Sequence, residues 1–348
     1  MTITHYFNLL LDNPFLLITS LLTLFVILVN GWTDAPNAIA TCISTKSISP
    51  RNAVIMAVIF NFLGVLCMTL INSTVTMTIF NMVDFSGSTE NATAALCAAM
   101  VGILVWSIIA WCFGIPTSES HALIAGLSGA AIALQNGIGG INGSEWMKVI
   151  YGLILSTILG FGLGYLFARL IELFFRKANA QKANLFFRKA QVASGASMAF
   201  MHGAQDGQKF IGVFLLGIFL TNNQTPSSEF AIPVWLMILC SLVMGIGTSI
   251  GGYKIIKTVG MDMVKLKTYQ GFATDLAAST CLLMSSAFGL PVSTTHTKTT
   301  AIMGVGASKR LSAVNWSIVK DMVITWVLTF PGCGLVGFLM AKLFILIF

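Results

Sequence analysis

The stretch FGIPTSESH at residues 113–121 returns as FGLPVSTTH at 288–296, 175 residues later, with Phe, Gly, Pro, Ser and His in register. A period shared by separate motifs defines an architecture before any single motif does. A second pair agrees: GWTDAPNAI (31–39) and GAQDGQKFI (203–211) match Gly31 with Gly203, Asp34 with Asp206 and Ile39 with Ile211, 172 residues apart. A third, 170 residues apart, matches Trp146 with Trp316, Gly162 with Gly332 and Gly164 with Gly334. The spacing predicts a tandem duplication with small loop insertions: a first repeat over 1–175, a basic connecting loop over 176–190 and a second repeat over 191–348.

Composition says what the repeats are made of. The 348 residues are 56% apolar and 9% charged, with a mean hydropathy of +0.87, whereas soluble domains carry roughly 25% charge. So few charges exclude a soluble globule, a disordered regulator and a nucleic-acid binder. About 20 apolar residues cross a bilayer, and ten segments qualify, near 14–45, 52–72, 93–112, 115–135, 146–170, 193–220, 232–252, 271–288, 292–307 and 314–345. The first, sixth and last are too long or interrupted and the ninth is short, so broken or re-entrant helices are expected among them. The fold expected is an all-α polytopic membrane protein. Five segments per repeat, an odd number, make the second copy enter the membrane upside down. Inverted repeats meeting near the midplane are the usual build of secondary transporters.

The basic residues orient the chain. Arg176, Lys177, Lys182, Arg188 and Lys189 fall in one acid-free stretch, which is expected in the cytoplasm. Loops 44–52, 253–270 and 307–312, all with bases, come out on the same side. The base-free loops 73–92 and 221–231 come out external, with both termini. Lys148, beside loop 136–147, fits this pattern less cleanly. Within the central stretch FFRKA occurs twice, at 174–178 and 186–190. An ordinary positive-inside loop is the simpler reading, a basic amphipathic helix on the inner leaflet the other. The net charge of +7 thus reports topology more than an acidic partner. Seven cysteines are scattered singly without a C-x-x-C, so they read as packing residues rather than a disulfide framework or structural metal site. No basic cluster precedes the first apolar run, which is expected to be a retained span.

Chemistry gathers at the motifs. Asp34 lies about a dozen residues before Lys46 and Asp206 a similar distance after Lys189, so at about 1.5 Å per residue both carboxylates sit deep in the membrane. An intramembrane carboxylate costs at least about 2.5–3.5 kcal/mol and marks an ion or proton path unless it is paired. Gly31, Pro36, Gly203 and Gly207 beside them are expected to disrupt the helix and free backbone groups. Asp34 with Thr33 and Asn37 makes a hard-oxygen set suited to a small cation; in the second copy Gln205 and Lys209 replace Thr33 and Asn37 around Asp206. Lys209 takes the place of a second cation, pairs with Asp206, or contacts an anion directly.

In both Pro-Ser motifs a proline followed by hydroxyls and an apolar run reads as a helix start inside the membrane, with Pro in the first turn. Thr117, Ser118, Ser120, Ser293, Thr294 and Thr295 would line two such starts, a donor-rich cradle for an oxyanion. His121 and His296 are matched, as structural hydrogen-bonding residues or as proton carriers. Glu119, Asp275 and Lys298 face Thr294, Met100 and Leu123 in the other copy, and ion pairing is their plain explanation.

These residues carry a family resemblance. GWTDAPNAIAT resembles the G-A-N-D-V-A-N-A signature of the inorganic phosphate transporter (PiT) family, and HGAQDGQKFIG is similar to its second copy. PTSESH (116–121) and PVSTTH (291–296) resemble its paired motifs. The likeness spans roughly 25–345, with Trp32, Thr33 and Pro36 departing from the signature. It implies phosphate uptake across the plasma membrane coupled to Na⁺ or H⁺, no enzymatic activity, no cofactor beyond the coupling ion, ten to twelve spans and often a dimer. The rivals are a sulfate permease of the same fold, a membrane phosphatase or acyltransferase, and a non-transporting phosphate sensor.

Overall fold

The structure, a computed structural model, describes residues 2–113, 117–221, 231–250 and 253–347. Among these residues no sheet forms, only an isolated bridge between Val83 and Ile141. The helices are α1 (Ile3–Asp12), α2 (Pro14–Thr33), α3 (Pro36–Ser44), α4 (Pro50–Ile71), α5 (Thr74–Asn81), α6 (Thr89–Cys112), α7 (Glu119–Gln135), α8 (Gly143–Phe175), α9 (Ala180–Thr221), α10 (Val234–Ile250), α11 (Tyr253–Lys257), α12 (Thr268–Ala287), α13 (Thr294–Lys309) and α14 (Trp316–Ile347). Their starts follow local chemistry. Asn13 caps α2 and Ser49 caps α4, each followed by a proline at the first helical position, where the missing N–H costs nothing.

Among the described residues, five helical stretches are long and apolar enough to cross a membrane, at Pro14–Ser44, Pro50–Ile71, Thr89–Cys112, Gly143–Phe175 and Trp316–Ile347, or six if α10 and the bent stretch after it count as one. Ten were expected. The other expected segments form shorter or more polar helices: α7, α10 and α13 have only 17, 17 and 16 residues, and α9 and α12 bury polar side chains along their length. Apolar side chains such as Leu21, Ile59, Ile158 and Val327 stay exposed along the outer helices, as a lipid-facing surface requires.

The first long segment is broken as expected. Helix α2 ends at Thr33 and α3 starts at Pro36, with Asp34 and Ala35 between. The sixth is not: α9 runs unbroken for 42 residues through Gly203 and Gly207. Those glycines serve approach instead of disruption, since a Cβ at Gly203 would collide with the Asn61 backbone and one at Gly207 with Val65. Gly31 packs likewise on the Met244 backbone. Helix α14 also continues, through Pro331. The second FFRKA lies in the first turns of α9, and its phenylalanines meet those of the first copy, with Phe175 against Phe187 at 4.8 Å.

Lys46, Arg176 and Lys267 border one cavity and Lys265, Lys309 and Arg310 another, so the four basic loops converge on one end. At the other end the chain ties itself with Asp84 N–H donating to Gly140 O and Asn142 N–H to Met82 O. Tyr6 of α1 stacks on Trp235 at 4.8 Å, and Lys342 of α14 donates to Asn136. Lys148, anomalous by charge, is paired to Glu145 at 2.8 Å.

Candidate functional site

Two helix starts meet in the interior. Ser118 caps α7, its hydroxyl accepting from the His121 amide at 3.2 Å, and Ser293 caps α13 by accepting from the His296 amide at 3.1 Å. The matched serines solve the same problem identically. By helix geometry the amides of Glu119 and Ser120, and of Thr294 and Thr295, point out of these ends. Pro291 does not stand in the first turn; it precedes the cap by two residues, because Ser293 takes the capping role. Pro116 lies outside the described residues, and Thr117 sits half-buried just before its cap. The starts adjoin, since the His121 and His296 rings lie 4.3 Å apart, edge to face. His296 stacks on Trp326 at 3.7 Å and His121 lies against Phe330 at 4.6 Å. Neither nitrogen of His296 has a hydrogen-bond partner among the described residues, so its ring packs as an aromatic rather than as a hydrogen-bonding post.

The two carboxylates lie just beyond these starts, both buried. Asp34, at the α2–α3 break, accepts from Asn37 Nδ2 at 2.7 Å and from the Thr295 hydroxyl. Asp206 accepts from Lys209 Nζ at 2.7 Å, from Ser120 Oγ at 3.3 Å and from Asn30 Nδ2 at 3.3 Å. Thr294 Oγ1 stands between them, 3.4 Å from Asp34 Oδ2 and 3.3 Å from Asp206 Oδ2. Asp34, of the first copy, therefore takes its hydroxyls from the second, whereas Asp206 takes one from each copy.

Most expected residues converge here, though not all in one role. Lys209 spends its three protons on Asp206, on Ser120 Oγ at 2.6 Å and on Val292 O at 2.6 Å. Of the three readings of this lysine, the geometry shows the pairing with Asp206. Gln205 turns away, bonding Ser286 Oγ at 2.8 Å. Thr33 points to Glu119 at 2.7 Å rather than to Asp34. Glu119 was expected in an ion pair; instead its oxygens are held by Thr33 and by Ser107 Oγ at 2.9 Å, with no ion-pair partner among the described residues. Asp275 and Lys298 do form a fully buried ion pair.

Sequence reading missed Asn30, His202 and Asn61, which orients the histidine. Asn30 turns its amide nitrogen to Asp206, which leaves Oδ1 without a partner, and Asn37 Oδ1 is left the same way by its bond to Asp34. His202 Nδ1 lies 2.9 Å from Asn61 Oδ1, while the Asn61 amide nitrogen faces Thr248 Oγ1 at 3.2 Å. With the ring proton on Nδ1, Nε2 aims a lone pair at Asp206 Oδ2, 3.4 Å away. Two acceptors at that distance repel unless positive charge, a proton or a metal ion, lies between them. One ligand atom each from Asp34, His202 and Asp206 fit within 4.8 Å of one another. The symmetry of the repeat pointed to Asp34 and Asp206; Asn30 lies before the matched stretch, and His202, although it opens the family-like HGAQDGQKFIG, was given no role.

A family model described as the phosphate transporter family matches residues 30–337. The chain belongs to that family. It is 39% identical over 309 residues to a probable low-affinity inorganic phosphate transporter of Bacillus subtilis, covering 89% of this chain and 91% of that one. It is 35% identical to a protein of the same description from Rhizobium meliloti, covering 90% and 92%. Its fold matches a solved structure described as the sodium-dependent phosphate transporter, with a TM-score of 0.88 at 23% identity, over 97% of this chain and 100% of that one. As a family member the chain is a multi-pass membrane transporter and not an enzyme.

Proposed function

We propose that the protein is a symporter that carries inorganic phosphate into the cell together with Na⁺, bound between Asp34 and Asp206. The observation that carries this reading is the surplus of acceptors. Asn30 Oδ1, Asn37 Oδ1 and His202 Nε2, all buried, lack hydrogen-bond partners beside two carboxylates of which only one has a lysine. Such a set suits a small cation, and the relative whose fold it shares is described as sodium-dependent. Phosphate itself, with one to two negative charges, would add to the net negative charge of Asp34, Asp206 and Lys209. Uncompensated charge of that kind is prohibitive away from water, so the cation accompanies the anion.

The hydroxyls supply an order of binding. Thr294, Thr295 and Ser120 now direct their contacts to Asp34 and Asp206, and a hydroxyl proton serves one acceptor at a time. A cation seated on the carboxylates takes over those lone pairs and frees the hydroxyls, with the amides of the α7 and α13 starts, to donate to phosphate. Cation first, anion second follows. The two repeats, inverted with respect to each other, then rock to expose the site to the other side. The crossed pairing of the halves supports that duplication: α7 packs on α14, and α13 on α8. The basic end faces the cytoplasm on the positive-inside rule.

Labelled phosphate uptake into proteoliposomes under an imposed Na⁺ gradient tests the reading, with an H⁺ gradient in parallel and sulfate and arsenate as competitors. Uptake driven by Na⁺ and inhibited by arsenate is expected. Uptake driven only by H⁺ reassigns the ion, and inhibition by sulfate as strong as by arsenate reassigns the anion.

A further inference from the structure

Between the site and the basic end lies a polar cluster that the binding chemistry does not use. Lys298 of α13 bonds Asp275 of α12 directly, and both are fully buried. Lys298 Nζ also reaches Thr41 Oγ1 at 3.1 Å and Ala38 O at 3.4 Å. Asp275 accepts from Thr41 Oγ1 at 2.7 Å and from Gln191 Nε2 at 3.2 Å. Four helices, α3, α9, α12 and α13, are thereby tied at one point.

Its position follows from helix rise. Lys298 is one turn, about 6 Å, beyond Thr294, and Thr41 is about 6 Å beyond Asn37. On the far side Thr45 and Phe187, one turn from Thr41 and Gln191, line a cavity of about 650 Å³ bordered by Lys46, Arg176, Lys267 and Tyr269. The pair therefore separates the carboxylate site from a basic vestibule. The equivalent positions in the other copy are Met100 for Asp275, Leu123 for Lys298 and Val213 for Thr41, all buried in one apolar cluster. A packed apolar closure is thus available to this fold, and a buried ion pair is no more stabilising than well-packed apolar residues of similar size. What the ion pair adds is reversibility, because separated charges are rehydrated when water enters.

We propose that the Asp275–Lys298 pair, tied to Thr41 and Gln191, is the barrier that closes the transport path toward the cytoplasm and parts to release phosphate into the basic vestibule. This rests on the symport reading above. Helix α3 links barrier and site, since its nine residues carry Asn37 near one end and Ala38 and Thr41 beyond it. A shift of α3 on cation loss from Asp34 pulls Thr41 and the Ala38 carbonyl away from Lys298. The released ammonium then faces the departing anion, with Lys46, Arg176 and Lys267 beyond it.

Cys42 is a built-in reporter, fully buried with its sulfur 3.8 Å from Asp275 Oδ2. In a protein whose other cysteines are replaced by alanine, inside-out vesicles are exposed to a membrane-impermeant trimethylammonium methanethiosulfonate and Cys42 modification is timed. The double variant D275N/K298Q is expected to react about tenfold faster than its parent, because the barrier opens locally more often. An unchanged rate in inserted protein, or acceleration only in right-side-out vesicles, overturns the proposal. If the double variant does not insert, T41V decides by the same two outcomes, with about threefold acceleration expected because both charges are kept. Na⁺-driven phosphate uptake by the parent is measured in right-side-out vesicles from the same cells. Its loss would count against symport, whereas the Cys42 rate bears on the barrier alone.

Discussion

The Asp34 and Asp206 halves of the site begin from the same sequence pattern and reach different structures. Asp34 sits where the helix stops, between Thr33 and Pro36. Asp206 sits inside a continuous helix, where Gln208 stands in place of Pro36. Proline removes an amide donor and collides with the preceding turn, whereas glutamine does neither. Beside Asp34 stands neutral Asn37; beside Asp206 stands Lys209, bonded to three oxygens as a bound cation would be. One half carries its positive charge in the chain; under the symport proposal the other takes it from solution.

Five substitutions break or sharpen that contrast. Asp34→Asn removes the charge that draws the exchangeable cation, so Na⁺-driven phosphate accumulation in proteoliposomes should fall by at least about 100-fold. Wild-type accumulation in that variant would refute the role given to Asp34. Lys209→Asn makes the second half resemble the first and strands Asp206, at a cost of about 3–5 kcal/mol. Thermal unfolding in detergent should show the loss, and added Na⁺ should recover more of it than it adds to the parent. Pro36→Gln does the converse, letting α2 run on into α3; a roughly tenfold drop in apparent Na⁺ affinity is expected, at about 1.4 kcal/mol per decade. Ser118→Ala and Ser293→Ala should each cost about 1 kcal/mol. Equal shifts in melting temperature would show that the helix starts, unlike the carboxylates, are equivalent in the two halves.

Local chemistry was the legible part. Pro36 announced the break after Asp34, and the matched serines announced two interior helix starts, because caps and prolines act within a few residues. Glycine was ambiguous in principle: Gly203 both permits a break and permits contact, and only the Asn61 backbone lying against it decides. Glu119 was misjudged for a related reason, its donors Thr33 and Ser107 being brought to it by tertiary packing. The duplicated FFRKA looked like a loop because its charges dominate, yet its phenylalanines clamp the ends of α8 and α9 together.

The hydroxyls that bridge the halves have one more consequence under the symport proposal. While Ser120 and Thr295 are engaged by Asp206 and Asp34, phosphate arriving alone finds those donors committed to carboxylates. Under the symport proposal, phosphate cannot slip through such a site from a side on which sodium is scarce. Under that proposal the crossed contacts that join the two copies are also a check valve against uncoupled leakage.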